Sequence, residues 1–221
     1  IKCTAYVKGG HGSLSLQESI MQSCNVAMMR IGAMMGKDIF TKYQAIFGMG
    51  QKTGVDLPGE ADGAGLIYSA ENMGPTELAT NAFGQNYNCT MIQMAAALCS
   101  VINGGSYYEP HVMRQIMNEQ GSVVETKDPV LVRETVSSST SEFLKEAMFQ
   151  TVENGTGGAA KVAGYHVGGK TGTAEKQPRS AKNYLLSSAG FAPAEDPQLF
   201  VYVVVDVPNY PPGPQQAHSS F

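Results

Sequence analysis

Two polar clusters in this chain have residue types and spacings that could do chemistry. The first is Gly164-Tyr165-His166-Val167-Gly168-Gly169-Lys170-Thr171, which matches G-x-x-x-x-G-K-[ST] at every position. A loop of that pattern cradles phosphates with its backbone N–H groups when a buried strand precedes it and a helix follows. The apolar run Leu199 to Asp206 would then be a magnesium-holding strand, and the chain a nucleotide hydrolase. The flanks disagree. Gly157 to Ala163 is small and weakly apolar, and Gly172, Thr173 and Pro178 follow without an amphipathic run.

A second parsing starts at the lysine. Placed on a strand, Lys170-Thr171-Gly172-Thr173 sends alternate side chains to opposite faces, so Lys170 and Gly172 share one. An edge strand without a side chain at Gly172 can pair its N–H and C=O groups with an extended peptide lying close to the backbone. The lysine and the two threonine hydroxyls could hold a carboxylate. An ordinary glycine-containing edge strand is the plain alternative for this tetrapeptide taken alone.

Ser23-Cys24-Asn25 is the second cluster. Residues two apart on a continuous helix face nearly opposite ways, so Ser23 and Asn25 can serve one site only where the chain breaks into a turn. Polar residues at a helix boundary are the plain alternative here.

The elements that must position these clusters are partly legible. Ser15 with Glu18 fits the capping box S-x-x-E and opens a helix. Val26 to Met35, ended by Gly36, and Asp38 to Phe47, ended by Gly48, give two more helices in a row. From Gly48 to Gly65, Gly and Pro recur at short intervals, which reads as an irregular surface loop. Thr90 with Gln93 is a second capping box, before a largely apolar, buried helix that stops at Gly104-Gly105. Val112 to Met117 and Val123 to Lys127 flank Glu119-Gln120-Gly121-Ser122, a hairpin pattern. Ser139 with Glu142 opens another helix, which stops at Asn154-Gly155. Strands follow over His166 to Lys176, Leu185 to Ala192 and Leu199 to Val207, and their short connections make them antiparallel neighbours. Helices first and an antiparallel sheet afterwards give an α+β fold.

Composition narrows the function. The 221 residues carry a net charge of −4, which argues against nucleic acid as the main partner. Apolar content of 43% can build a core, and no run reaches the roughly 18 apolar residues that a membrane-spanning helix needs. No basic patch followed by an apolar stretch marks an export signal. The four cysteines, Cys3, Cys24, Cys89 and Cys99, lack C-x-x-C spacing and read as scattered core residues. His11, His111, His166 and His218 lack H-E-x-x-H, so the standard zinc signatures are missing, and neither a metal nor a cofactor is expected. Twelve methionines read as flexible core filling, and the sequons at Asn88 and Asn154 as coincidence.

Ser23-x-Asn25 followed far downstream by Lys170-Thr171-Gly172 resembles the second and third motifs of the penicillin-binding transpeptidases and serine β-lactamases. The resemblance covers nearly the whole chain. Gln22 to Ala27, Phe47-Gly48-Met49-Gly50 with Thr53 to Glu60, Phe83-Gly84-Gln85, Thr90 to Met94 and Gly169 to Glu175 follow the order of the monofunctional class B penicillin-binding proteins. The Phe-Gly-x-Gly and Gly-Gln blocks favour a cell-wall synthase over a β-lactamase or a β-lactam sensor. The first family motif, Ser-x-x-Lys, is missing: no serine stands three residues before any lysine, and Thr173 before Lys176 is the nearest approach. The expectation is therefore a single partial transpeptidase domain over residues 1–221, truncated at both ends, with the nucleophile upstream of Ile1 and a C-terminal helix missing beyond Gln215 to Phe221.

The resemblance implies a penicillin-binding protein/serine β-lactamase-like fold, an antiparallel sheet packed with helices. It implies acyl transfer between peptidoglycan stem peptides ending in D-alanyl-D-alanine, with β-lactams as inhibitors. Ser23 would relay a proton to the leaving nitrogen, Asn25 would hydrogen-bond the substrate amide and Lys170 would hold the electrostatics of the cleft. Thr171, Gly172 and Thr173 would bind substrate, the threonines holding its carboxylate and the Thr173 N–H serving as an oxyanion donor. It further implies a membrane-anchored protein at the extracytoplasmic face, working with cell-wall synthesis machinery. The isolated chain, without its nucleophile, is expected to be inert.

Overall fold

Ser15 starts the first helix as its spacing predicts. Its Oγ accepts from Glu18 N at 3.2 Å, while Ser15 N donates to Glu18 Oε2 at 2.7 Å, so both arms of the capping box close around α1 (Leu16–Met21). In the computed structural model, which describes residue 3 and residues 5–208, two more helices follow, α2 (Asn25–Met35) and α3 (Lys37–Ile46). Gly36, at φ 77°, parts them.

The irregular stretch after α3 is held by side chains in place of a backbone ladder. Glu60 Oε1 accepts from Thr53 N at 2.6 Å and from Thr53 Oγ1 at 2.7 Å, and Glu60 Oε2 accepts from Gly54 N at 3.2 Å. Gln93, fully buried, donates through Nε2 to Gln51 O. Asp56 reaches further and takes Val112 N at 2.7 Å and Met113 N at 3.0 Å.

A helix that apolar periodicity does not predict, α4 (Pro75–Ala82), comes next. It is short and packs through small and polar residues: Asn81 is buried, and a Cβ on Gly32 of α2 would lie 2.7 Å from Ala82 Cβ. The second capping box closes as expected, with Thr90 Oγ1 accepting from Gln93 N at 3.2 Å, and opens α5 (Met91–Ile102).

Two small antiparallel pairs interrupt the helices. β1 (Ser106–Tyr108) pairs with β4 (Leu131–Glu134), and β2 (Gln115–Met117) pairs with β3 (Val123–Thr126). The latter is the expected hairpin, with shorter strands and every strand residue exposed. The helix expected from Ser139 starts earlier: Ser137 is the cap, its Oγ accepting from Thr140 N at 3.2 Å, and α6 runs over Ser138–Asn154. The S-x-x-E spacing misplaces the start because the Ser137 hydroxyl takes the free amide first.

The main sheet is β5 (Gly168–Glu175), β6 (Tyr184–Ala192) and β7 (Leu199–Asp206), in the order β5-β6-β7 and antiparallel throughout. α6 packs on β5, and α5 lies against α6 and β7. The core between them is Val101 and Ile102 of α5, Met148 of α6, Phe191 and Ala194, with Phe47, Leu144, Phe149 and Phe200 at its margin. The α+β class is thus borne out. The expected cysteine pattern holds in part: all four are free, Cys24 is buried and the others are half-buried. The stretch from Gln215 to Phe221 lies outside the described residues.

Candidate active site

β5 is the edge of the main sheet, and its two leading glycines are there because of packing on β6. A Cβ on Gly168 would sit 2.2 Å from Phe191 Cζ, and one on Gly169 would sit 2.7 Å from Ala189 O. The strand then continues, extended, through Lys170 and Thr171 to Glu175. A strand, not a helix, runs on from Lys170 and Thr171, and the next element along the chain is the 3-10 turn Arg179–Ala181, so the phosphate-loop parsing gives way to the strand parsing. The glycines that complete that motif are explained by the sheet.

The glycine of Lys-Thr-Gly has its own steric reason. Gly172 pairs with Ser187, and a Cβ at 172 would meet Ser187 Oγ at 2.6 Å. The open face expected at this position is therefore occupied in part by a hydroxyl of the neighbouring strand. Thr171 and Thr173 project to the opposite face from Lys170 and Gly172, Thr171 half-buried and Thr173 exposed.

Ser23 stands in the turn between α1 and α2, where the required break occurs. Ser23 N donates to Ile20 O at 3.1 Å and Cys24 N to Ser19 O at 3.0 Å, and Ser23 itself has φ 49°. A non-glycine residue in the left-handed region is held there against its own preference, a strain that clusters at functional sites. Asn25 is the first residue of α2, half-buried beside the turn.

The two clusters meet. Lys170 Nζ donates to Ser23 Oγ at 2.7 Å and to Thr171 O at 2.9 Å. Burial pushes the Lys170 ammonium down to about 8 from its usual 10.5, with no carboxylate acting against it. An ammonium that donates to the serine oxygen leaves the Ser23 O–H free to donate elsewhere, which suits proton delivery to a leaving group. Among the described residues no hydrogen bond joins Asn25 to Lys170 or to the threonines; Asn25 is brought to the site by the turn alone.

One residue at the site has no role in the sequence reading. Gln85, just after α4, donates through Nε2 to Thr173 O at 3.4 Å and so reaches the free edge of β5. Its signal was present in the Phe83-Gly84-Gln85 block, but nothing local links that block to the strand. An apolar cavity of about 670 Å³ lies elsewhere, lined by Phe40, Tyr43, Phe47, Met94, Leu98 and Val101 among others, and none of the site residues borders it.

Comparison with known proteins identifies the family and the fold. The family described as the penicillin binding protein transpeptidase domain matches residues 4–220. Stage V sporulation protein D of Bacillus subtilis is 42% identical over 206 residues, covering 91% of this chain and 32% of that protein. The peptidoglycan D,D-transpeptidase MrdA of Acinetobacter baumannii is 30% identical over 218 residues, covering 89% and 32%. Among solved structures, the D,D-transpeptidase domain of a peptidoglycan glycosyltransferase from Eggerthella lenta superposes with a TM-score of 0.82 at 28% identity, covering 92% of this chain and 51% of that one. Penicillin binding protein 3 of Mycobacterium tuberculosis, solved in complex with ampicillin, gives 0.78 at 26% identity, covering 88% and 45%. The chain thus spans about a third of the length of the curated relatives it matches.

Proposed function

The chain belongs to the penicillin-binding protein transpeptidase family, and from that premise we propose that it is part of a domain that cross-links peptidoglycan stem peptides by serine acyl transfer. The nucleophile in this reading belongs to a Ser-x-x-Lys motif that is not among the 221 residues. Its oxygen attacks the carbonyl carbon of the penultimate D-alanine as its proton passes to the lysine of that motif. The C–N bond breaks, the leaving nitrogen takes a proton, and the stem remains as an ester. An amine of a second stem then attacks the ester carbon, the C–O bond breaks, and the serine regains its proton.

This chain supplies the remainder. Ser23 passes its hydroxyl proton to the leaving nitrogen and is reprotonated through Lys170, whose ammonium also offsets the negative charge gathering at the reacting carbonyl. Asn25 hydrogen-bonds the substrate amide. Thr171 and Thr173 hold the terminal carboxylate on the edge strand, Gly172 lines the same stretch of that strand, and the Thr173 N–H donates to the oxyanion. β-Lactams enter the same groove as acylating inhibitors. The protein acts outside the cytoplasm, anchored to the membrane and working with the cell-wall synthesis machinery; no helix of the described residues is itself long and apolar enough to cross a membrane.

The observation that carries this reading is the 2.7 Å contact between Lys170 Nζ and Ser23 Oγ, made between residues 147 positions apart in the chain that belong to two separate family motifs. Fluorescent penicillin followed by intact mass spectrometry tests it. The protein that contains the chain gains one stable acyl increment, while the 221-residue chain alone gains none. An intact protein that resists acylation sinks the reading, and an adduct on the chain alone sinks the placement of the nucleophile.

A further inference from the structure

Beside the catalytic turn lies a second group of reactive side chains that the transpeptidase chemistry does not use. Sγ of Cys3, a ring nitrogen of His11 and Sγ of Cys24 all lie within 4.8 Å of one another. They come from three places: the segment before the short 3-10 turn Tyr6–Lys8, the loop that leads to α1, and the residue between Ser23 and Asn25 that caps α2. Cys24 is buried and the other two are half-buried. Both sulfurs are free thiols.

The histidine gives an independent sign that something is to be bound here. His11 Nδ1 is shut away from solvent and has no hydrogen-bond partner among the described residues. A buried polar atom left unpaired is costly, so such an atom calls for a partner. Two thiols and an imidazole form a soft donor set, the kind that selects zinc-like ions over calcium or magnesium. Tetrahedral zinc with sulfur bonds of about 2.3 Å and nitrogen bonds of about 2.0 Å brings its donors to roughly 3.5–3.8 Å of one another. The observed spacing exceeds this by at most about 1.3 Å.

We propose that Cys3, His11 and Cys24 form a three-ligand site for a zinc-class divalent cation, with the fourth position open to water. The spacing C-x7-H-x12-C matches none of the familiar zinc signatures because the ligands are gathered by a long loop that folds back on the Ser23 turn. Binding exchanges two thiol protons for the ion. Its structural effect is to tie the loop before α1 to the residue between Ser23 and Asn25, fixing the turn that presents them.

Cobalt(II) is the probe. The intact protein, reduced with a phosphine and freed of metal, is titrated with Co²⁺ and then with Zn²⁺. The expected result is a thiolate-to-cobalt charge-transfer band in the near ultraviolet, tetrahedral ligand-field bands in the visible, and displacement of both by zinc. Cys3→Ser and His11→Ala, both at incompletely buried positions, each weaken cobalt binding by at least about 100-fold, beyond the loss typical of an outer-shell partner. Folding of each variant is checked by far-ultraviolet circular dichroism, and the melting temperature of the parent, but of neither variant, rises with zinc. Absence of thiolate bands in the reduced parent overturns the proposal, as does unchanged affinity in the folded variants. Loss of both thiols to a Cys3–Cys24 disulfide that forms equally fast with zinc present overturns it as well, because bound zinc protects its thiolates.

Discussion

Lys170 Nζ and Ser23 Oγ lie 2.7 Å apart, the lysine on the edge strand and the serine in a strained turn between two helices. That bond couples a charge to a proton donor in the proposed acylation. Removal of the lysine as Lys170→Ala in the intact protein lowers the second-order rate of penicillin acylation by at least about 100-fold, the low end for a positioned acid–base group. Stopped-flow kinetics with fluorescent penicillin measure it. Unchanged kinetics in a folded variant remove Lys170 from the mechanism.

The same lysine sets a pH limit. Burial disfavours its charged form and brings its titration to about 8, so acylation falls as pH rises through that value. Ser23 Oγ and Thr171 O are the groups that face it, and neither changes charge in this range. The stability contribution runs the other way. Between about 8 and 10.5 the unfolded chain holds a proton that the folded chain has lost, so this group makes the fold more stable as pH rises across that window. Acylation rates across the alkaline range, with denaturant midpoints on the same samples, test both signs; a rate that stays flat past pH 10 contradicts the first.

The glycines of β5 separate the two parsings of the sequence. Gly169→Ala sets a methyl 2.7 Å from the Ala189 carbonyl oxygen, a backbone atom that cannot swing aside. The expected cost is about 1–3 kcal/mol, the usual range for overpacking. Thermal and urea unfolding measure it, with Gly84→Ala as a contrast that has open space around the added carbon and only its φ of 89° to strain it. A Gly169→Ala protein as stable as the parent contradicts the packing reason given for this glycine.

What was legible in the chain was local or was carried by short motifs. The boxes at Ser15 and Thr90 were readable because a capping side chain bonds an amide only three residues away. α4 was not, since it is only eight residues long, its buried residue is the polar Asn81, and its fit depends on Gly32 of another helix. β1 and β4 pair across an intervening hairpin, a partnership that neither strand states alone. The site was legible in its members but not in its geometry: the turn at Ser23 could be required, yet its contact with Lys170 is made by the packing of α1 on α6 and of α6 on β5. Gln85 reaches Thr173 for the same tertiary reason, and so had no role before the fold was known.

Thr90→Ala removes the acceptor for Gln93 N and opens the box at the start of α5. Caps of this type contribute about 1 kcal/mol. The loss here lies at the upper end of the usual 0.5–2 kcal/mol, because the arm that is lost steadies the start of α5, where the fully buried Gln93 side chain accepts from Thr90 N and donates to Gln51 O. Chemical denaturation of the variant reads the difference directly, and Thr90→Ser, which keeps the oxygen, restores most of it. Equal losses in the two variants would mean that the methyl group, and not the hydroxyl, matters.

Glu60 predicts how the fold fails in acid. Partial burial works to raise its carboxyl, but the Thr53 hydroxyl and the Thr53 and Gly54 amides, with Lys52 nearby, outweigh that and hold it below 4.5. A carboxylate whose folded value is depressed contributes stability that is complete above its unfolded value and is lost as pH falls through the folded one. Glu60→Gln keeps the shape and one acceptor but gives up the charge, so it destabilises the loop by about 1.5–3 kcal/mol at neutral pH, the range for hydrogen bonds to a charged group. The difference between parent and variant must narrow as the solution is acidified below about 4.5, because protonation makes the parent resemble the variant. Unfolding midpoints of both proteins at neutral and acid pH decide it: a gap that stays constant with pH would show that Glu60 acts through its shape and not through its charge.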